Sequence, residues 1–516
     1  MVDVTTRDGN KKEPDGMVSV SPFMAKGVLE GPISKLNDQG NSISYILTGK
    51  HSYLDQSSKT IYNYVDTAGI PYGFTDLYGK LSINTGSGSN IDFFGFHYRD
   101  NATFRGVTEF GWRTTGVGMD FRVVPGQSQT VIDGNVSYSD YRTEVQEADE
   151  RPKESAIRGL KYGFDVNGFK TIFEFYNSLG LKVDQNQNTT ELGGYVKYRK
   201  KFGNLVIEPS LRLQFYASLA EFSPEPRLGL KYNISDNVRV KLGSGIYSQN
   251  LISSSSDRDV VNLFNGFLSG PEENLTNTDG ETSNSKLQRA AHVITGLEWD
   301  VMKNLEANIE PYYKRFFQLI SINRQKLFAS QSNFMIENGD AYGIDLSLRY
   351  RKRGFYAYAA YSLGYVERYD GEQTYNPNFD RRHSVNIVSS YTFGKNQGWE
   401  ASVRWNLGSG FPFTKTQGFY EKLRLNEGVG DSYQTENGEI GTIFDDNLNE
   451  GRLPYYHRLD ASIKKKFFLS TNVTLTADAS LSNIYNRKNI FYFDRVRYKR
   501  VNQLPILPTA GLSLSF

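Results

Sequence analysis

The sequence contains no cysteine and no long hydrophobic run. Without cysteine the chain can form neither disulfide bonds nor thiolate metal sites. No apolar stretch approaches the roughly 18 residues that a membrane-spanning helix needs, and the mean hydropathy is −0.52. Excess charge is missing as well, because 59 basic and 57 acidic residues leave a net charge of +2. We therefore expect neither a helical membrane protein nor a nucleic-acid-binding protein.

Interdomain linkers are also missing from this chain of 516 residues. That length would ordinarily suggest several soluble domains. No proline-rich, glycine/serine-rich or like-charged spacer interrupts the chain, so one large closed sheet accounts for the length better than a series of separate cores.

Aromatic residues and glycine are abundant, with 34 tyrosines, 33 phenylalanines and 48 glycines. Apolar and polar residues alternate with a period of two along much of the chain, for example over 473–481. Such a pattern gives a strand one apolar and one polar face. Strands of this kind can cross a bilayer at low mean hydropathy, because only every second residue faces lipid. Aromatic residues then collect at the two membrane interfaces.

The connections between these segments alternate between short and long. Tight turns are indicated at 86–90, 125–127, 235–237, 302–304, 351–354, 395–398 and 469–471. Longer polar segments lie between them, at 56–74, 144–154, 251–288, 366–380 and 414–452. This alternation is typical of an up-and-down barrel with short periplasmic turns and long extracellular loops.

The sequence therefore predicts an all-β protein, a transmembrane antiparallel up-and-down β-barrel of about 22 strands in the bacterial outer membrane. It should occupy residues 1–516 as a single domain, and a first strand near 16–31 should pair with the last strand near 507–516. A one-residue slip would exchange the two faces of a strand. We expect outward-facing side chains at Leu346, Val403, Trp405, Leu475, Leu512, Leu514 and Phe516, and lumen-facing side chains at Arg349, Glu400, Arg404 and Asp478.

Several short stretches occur in a recognisable order along the chain. They are VDVTTRDGN at 2–10, FMAKGVLEGP at 23–32, GKHSYLD at 49–55, GDAYGID at 339–345, DRRHS at 380–384, GSGFPF at 408–413, YYHRLD at 455–460 and NIYNRKN at 483–489. Together they resemble the barrel of Bacteroidetes TonB-dependent receptors, whose plug passes into the first strand at the equivalent of 2–10. The middle of the chain, roughly 100–335, resembles that family only in its general pattern and not in particular motifs.

The resemblance implies an outer-membrane transport protein, the barrel of a receptor for uptake of a nutrient or a chelate. Active transport in that family depends on a plug domain inside the barrel and on a TonB box that couples the plug to the inner membrane. This chain starts near the end of such a plug, with residues 1–15 as a junction remnant, and no signal peptide follows Met1. We therefore expect the plug to be absent and Met1 to be an artificial start or the start of a fragment.

The implied partners are outer-membrane lipid, TonB only in the intact plug-bearing form, and a surface lipoprotein or another subunit of an outer-membrane complex. The alternative interpretation is a passive porin-like pore or a scaffold subunit of such a complex. No GxSxG, HExxH or paired-carboxylate signature indicates an enzyme. No catalytic residue, metal site, cofactor or nucleic-acid partner is predicted.

Ligand-binding residues are expected in the extracellular loops 251–288 and 414–452. Phe264 and Phe267 are candidates for stacking on a ligand or for packing the loop, and both roles remain open. Asp431, Asp445 and Asp446 are candidates for a hard cation or a cationic substrate. These carboxylates lack the every-other-residue spacing of a calcium loop, so a solvated surface loop is the simpler interpretation. The aromatic stretch 491–493 breaks the alternation and is interpreted as part of the interface girdle.

Overall fold

The structure is a computed structural model that describes residues 6–516 apart from 105–107, 125–131, 148–151, 163–165, 177–181, 256–264, 325, 327, 329, 423–438 and 497. Its described residues form one antiparallel sheet of 24 strands and four two-stranded sheets. Two pieces of the large sheet, Lys200–Phe202 and Thr374–Tyr375, pair with one neighbouring strand only. The other 22 strands form a ring.

The strands of the ring follow one another in chain order, and each is antiparallel to the next. They are Asp15–Val20, Met24–Ser34, Ser42–Ser52, Tyr72–Asn84, Asn90–Phe104, Thr108–Val123, Ile132–Glu147, Pro152–Tyr162, Val166–Tyr176, Lys182–Lys197, Leu205–Tyr216, Glu221–Asn233, Val238–Gln249, Gln288–Met302, Leu305–Ile322, Phe334–Lys352, Phe355–Tyr369, His383–Phe393, Trp399–Gly408, Tyr456–Phe468, Thr474–Ser482 and Leu507–Ser515.

The ring closes where the first strand meets the last. Val20 pairs with Leu512 and Met17 with Ser515. The backbone groups of Gly16 and Phe516 exchange two further hydrogen bonds, of 2.8 and 3.0 Å. No edge of the ring is left to which another chain could add a strand. The predicted fold class, an antiparallel barrel of about 22 strands, is confirmed.

The prediction of a single first strand near 16–31 is wrong. This segment contains two strands, Asp15–Val20 and Met24–Ser34, and only the first of them pairs with the last strand of the chain. At the turn between them, the Ser21 hydroxyl oxygen accepts a hydrogen bond of 3.3 Å from the backbone N–H two residues later. Pro22 has no N–H group to continue the ladder, so the chain turns there.

One rim of the barrel carries short turns. In the two-residue turn at 353–354, Arg353 and Gly354 have φ angles of 45° and 82°, which is the left-handed backbone that a tight hairpin needs. Six of the predicted tight turns lie at this rim. The seventh, 125–127, lies outside the described residues.

The opposite rim carries the long connections. They include 53–71, 250–287, 370–382, 409–455 and 483–506. Four of these correspond to predicted loops, and 483–506 was not predicted. The bounds predicted for the loop at 144–154 are wrong, because strands run through 144–147 and 152–154, while 148–151 lie outside the described residues. Short turns at one rim and long loops at the other identify the periplasmic and extracellular ends.

The long loops hold most of the remaining elements. Four small hairpins pair Ile252–Ser255 with Asn265–Leu268, Pro412–Phe413 with Gly451–Arg452, Thr416–Lys422 with Glu439–Phe444, and Ile490–Asp494 with Lys499–Asn502. An α-helix spans Leu54–Ile61, and a 3-10 turn spans Lys395–Gln397 at the periplasmic rim. No helix among the described residues is long and apolar enough to cross a bilayer.

The strands of the ring keep the same two faces except where the register shifts, near 32–34, 289–290, 300–302 and 316–319. Residues that pair directly across two strands lie on the same face of the sheet. The series of such pairs that starts at Val20 passes round the ring and returns to Leu512. Large apolar side chains are exposed on this face, which is therefore the outer one; Val117 is 55% exposed and Leu512 56%. The outward and lumen-facing residues named from the sequence all lie on the predicted faces.

The N-terminal segment lies on the lumen face. Asp8 accepts hydrogen bonds from Lys80 and Ser82, both at 3.0 Å, and Arg7 pairs with Glu30. Burial alone would raise the pKa of Asp8, but hydrogen bonds from Lys11 and then Lys80 lower it to about 2. Asp8 therefore keeps its charge at neutral pH and holds the segment on the wall.

The helix Leu54–Ile61 covers the closing point of the ring from the extracellular side. It belongs to an apolar cluster formed by Leu54, Tyr62, Ile70 and Leu507. The Tyr62 hydroxyl donates a 2.7 Å hydrogen bond to the carbonyl oxygen of Pro508. Loop 53–71 thus joins the first strands of the barrel to the last.

The assignment of the two faces predicts that a charge introduced on the outer face destabilises the barrel more than one introduced on the lumen face. Leu512 lies in the middle of a nine-residue strand, so Leu512→Arg should destabilise the inserted barrel by about 2–4 kcal/mol because a guanidinium would face hydrocarbon. Ser513→Arg, one residue further on the lumen face, should cost much less. Urea titrations of both variants in lipid vesicles measure the difference, and equal losses would contradict the assignment of the faces.

Candidate functional site at the extracellular mouth

The described part of loop 250–287 folds back against the lumen wall. The hydroxyl of Ser269 lies 2.9 Å from those of Thr171 and Thr189, which face the lumen from adjacent strands. The side-chain amide of Gln185 forms two hydrogen bonds with the backbone of Ser269. It accepts one from the N–H at 2.7 Å and donates one to the carbonyl oxygen at 3.0 Å. Because the three hydroxyl-bearing residues are fully buried, this is a docked loop.

An apolar cluster extends the contact across the mouth. Ile252 and Leu268 of the loop are almost completely buried in it. One side of the cluster consists of the lumen-facing residues Ala102, Phe110, Val145, Phe173 and Val183, and the other side includes Leu275, Ile320 and Ile336. The loop therefore reaches from the wall around Val166–Tyr176 to the extracellular ends of the strands that carry Ile320 and Ile336.

A second part of the mouth is held by buried charges. The carboxylates of Glu337 and Asp370 are completely buried, and the Arg324 guanidinium bridges them at 2.9 and 2.7 Å. Arg368 lies 3.2 Å from the second oxygen of Glu337, and the Tyr375 hydroxyl donates to its first at 2.8 Å. Each buried carboxylate is thus paired and hydrogen-bonded, which burial of a charge requires.

Protonation in this network follows from its contacts. Burial alone would raise the pKa of Asp370, but hydrogen bonds from the backbone N–H of Gln373 and from Arg324 hold it below its ordinary value. Burial, and then the negative charge of Glu337, raise the pKa of Tyr375. Asp370 is therefore an acceptor and Tyr375 a donor at neutral pH, so the loops 323–333 and 370–382 stay joined.

Asp380 fixes loop 409–455 in the same way. Its buried carboxylate lies 2.6 Å from the guanidinium of Arg452 and 3.1 Å from that of Arg382, and its other oxygen accepts a backbone hydrogen bond from Val366. These contacts tie a strand of the wall to two loops. In the sequence, the stretch DRRHS stands out only through its resemblance, and nothing in it indicates that Arg452 completes the pairing.

The structure describes three of the five candidate ligand-binding residues. The ring of Phe267 packs edge-on against lumen-facing Tyr141 at 6.0 Å. Asp445 accepts a hydrogen bond from the backbone N–H of Asn447. The Asp446 carbonyl oxygen accepts one from Gln373 in loop 370–382.

Phe267 thus belongs to the part of the mouth that loop 250–287 fills, whereas Asp446 contacts loop 370–382 and Asp445 bonds within its own loop. Phe264 and Asp431 lie outside the described residues. Within the described part of the chain, no three histidine or carboxylate side chains are grouped to hold a metal ion. Ligand contact by all five candidates stays a prediction.

No protein-family model matches the sequence, and the search of curated proteins gives no match. Among solved structures, the chain is similar to the ferric citrate transporter FecA, with 14% identity, a TM-score of 0.63, and coverage of 99% of this chain and 80% of FecA. It is also similar to the FrpB iron transporter from Neisseria meningitidis, with 11% identity, a TM-score of 0.61, and coverage of 98% and 81%.

The ferric enterobactin receptor PfeA from Pseudomonas aeruginosa gives the same picture, with 10% identity, a TM-score of 0.61, and coverage of 98% and 81%. At these identities the similarity shows the fold, which is that of the barrels of TonB-dependent outer-membrane transporters and receptors. The predicted location in the outer membrane is confirmed. The predicted Bacteroidetes source stays a prediction.

The buried pairs should be far more costly to break than exposed ones. Glu337→Gln leaves Arg368 without its carboxylate, so the loop ends around it should be destabilised by roughly 3 kcal/mol. Glu306→Gln is the matched control, because Glu306 pairs with Arg349 at the periplasmic rim with both side chains about half exposed, and should cost less than about 1 kcal/mol. Proteolysis rates within 323–333 and 370–382 measure the effect; unchanged rates in the first variant would contradict the role of Glu337.

Proposed function

We propose that this chain is the barrel of a TonB-dependent receptor that takes up a nutrient or a chelate across the outer membrane. One observation carries the proposal: a ring of 22 strands whose loop 250–287 is docked against the lumen wall. A ring of this size encloses more space than its own side chains fill. A wide lumen with an occupied mouth suits a solute that is admitted selectively.

We propose a metal chelate as the substrate class. The neighbours named above are described as carriers of ferric citrate and iron and as a receptor for ferric enterobactin, and a further one as a copper transporter. The mouth of this barrel presents the aromatic side chain of Trp112 together with polar side chains such as Gln187 and Glu272. Such a lining suits a polar ligand that also presents flat apolar surface.

The proposed unit is the whole barrel, residues 1–516, with 1–15 as the junction to a plug. Supporting this, Arg7 and Asp8, which precede the first strand, are held on the lumen face of the wall by Glu30 and Lys80. TonB would be a partner only of a form that carries a plug. A surface lipoprotein or another outer-membrane subunit is the proposed partner on the extracellular loops.

Ligand binding should be visible through Trp112. This side chain packs against the apolar cluster of loop 250–287, so a chelate that displaces the loop should change its fluorescence. Titrations with ferric citrate and with a ferric catecholate should give a saturable change that Trp112→Phe abolishes. Trp399→Phe, at the periplasmic end of its strand, is the control that should keep it. A change that survives in Trp112→Phe would place binding elsewhere.

Release of the loop should govern passage through the barrel. The hydroxyls of Thr189 in the wall and Ser269 in the loop lie 2.9 Å apart. Because the chain has no cysteine, Thr189→Cys with Ser269→Cys introduces a single disulfide bond between loop and wall. Oxidation should lower solute uptake into proteoliposomes, and reduction should restore it. Ser402→Cys with Ser462→Cys is the control, since these hydroxyls, 2.7 Å apart, belong to two neighbouring wall strands. Uptake that is independent of the first bond would instead favour a passive pore or a scaffold.

A further inference from the structure

A row of arginines crosses the outer face near the extracellular rim. Arg99 pairs directly with Arg113 on the next strand, and Arg113 with Arg142 on the one after. All three belong to the same outer face as Phe93 and Val117. Like charges directly opposite one another destabilise a sheet, so the row calls for a compensating anion. Arg142 lies 3.6 Å from Glu144, whereas Arg99 and Arg113 have no ion-pair partner among the described residues.

The row stands at the height where lipid headgroups begin. Ile91 is the first outward-facing residue after the periplasmic turn, and Arg99 follows eight residues later on the same strand. Eight residues span about 27 Å along a strand, which at the usual tilt is about 20 Å along the membrane normal. The apolar band of such barrels is about 25 Å tall. Arg99 thus lies near its upper edge.

A cavity of about 1130 Å³ adjoins the row. Loop 53–71 and loop 483–506 bound it above the short first hairpin. Strand Asn90–Phe104 contributes Arg99, Asn101 and Thr103 to the lining of the cavity, and all three side chains face outward. The lumen-facing residues between them do not line the cavity. The cavity therefore opens on the outside of the wall. Its cationic lining residues outnumber the acidic Asp55 and Asp66; they are Lys59, Arg99, Arg487, Lys488, Lys499 and Arg500.

We propose that this basic surface, formed by the arginine row and the cavity, binds the phosphate-bearing headgroup of a lipid with net negative charge in the outer leaflet. Arginine recognises phosphate through paired, charge-assisted hydrogen bonds, and basic pockets on membrane proteins bind anionic headgroups. The occupant is a membrane lipid because Arg113 and Arg142 lie on the membrane-facing wall. The proposal depends on the barrel fold and not on the transport function.

The test compares lipids that differ in phosphate. Detergent-purified protein is titrated with diphosphorylated lipid A, monophosphoryl lipid A, phosphatidylcholine and inorganic phosphate, and bound molecules are counted by native mass spectrometry. Affinity should fall in that order between the first three, and inorganic phosphate should not compete at millimolar concentration. Equal affinity for phosphatidylcholine would overturn the proposal. Equally effective competition by inorganic phosphate would assign the site to a soluble anion and would overturn it too.

Matched variants locate the site. Arg99→Gln with Arg113→Gln should weaken lipid A binding about tenfold or more, since two charge-assisted contacts are lost. Lys35→Gln with Lys303→Gln removes the same charge from exposed periplasmic turns and should leave the affinity unchanged. Equal weakening in both pairs would show a nonspecific charge effect and would contradict the site. If the arginine variant does not insert, the ranking of lipids by the unaltered protein decides alone.

Discussion

The whole structure depends on the need to satisfy every backbone hydrogen-bonding group inside a bilayer that offers none. Closure of the ring between Val20 and Leu512 meets that need at the last two edges. Because the sheet has no edge, each strand must keep one face towards lipid and one towards the lumen. The features linked to transport here lie on the lumen face and in the loops.

At the mouth the balance of forces is different. The extracellular ends of the strands extend beyond hydrocarbon, and buried ion pairs take over from lipid contact as the ordering interaction. Glu337, Asp370 and Asp380 each sit fully buried beside an arginine. Such pairs contribute little net stability, but removal of one partner leaves a buried charge unpaired. They form a fixed frame beside loop 250–287, which is held mainly by hydroxyl contacts, by Gln185 and by apolar packing.

Much of the wall could be predicted from the sequence, because alternation and turn residues are local signals. Leu512 and Arg404 lie on their expected faces, and the turns at 303–304 and 353–354 lie where they were expected. The prediction failed where alternation runs on beyond the membrane, as at 144–154. It also failed at 491–493, which was interpreted as part of the interface girdle but lies in a loop hairpin outside the ring.

The mouth could not be predicted for a related reason. Arg324 and Asp370 are 46 residues apart in the chain, and no local pattern shows that they meet. Phe267 and Asp445 were chosen because they lie in long loops, and the residues that actually order those loops, such as Ser269 and Asp380, look like ordinary polar residues. Long-range pairing in a barrel is set by strand order, so loop contacts appear only once the ring is closed.

The unequal length of the strands has a consequence for the membrane itself. The first strand has 6 residues and the sixteenth has 19, so the wall is lowest where the chain ends meet. Six residues span only about 15 Å along the normal at the usual tilt, less than the hydrocarbon of an ordinary bilayer. Lipids beside this point must compress or tilt, at a cost of fractions of a kcal/mol per Å. We therefore expect the bilayer to be thinner beside this point, with lipids of shorter or more flexible chains favoured as neighbours there.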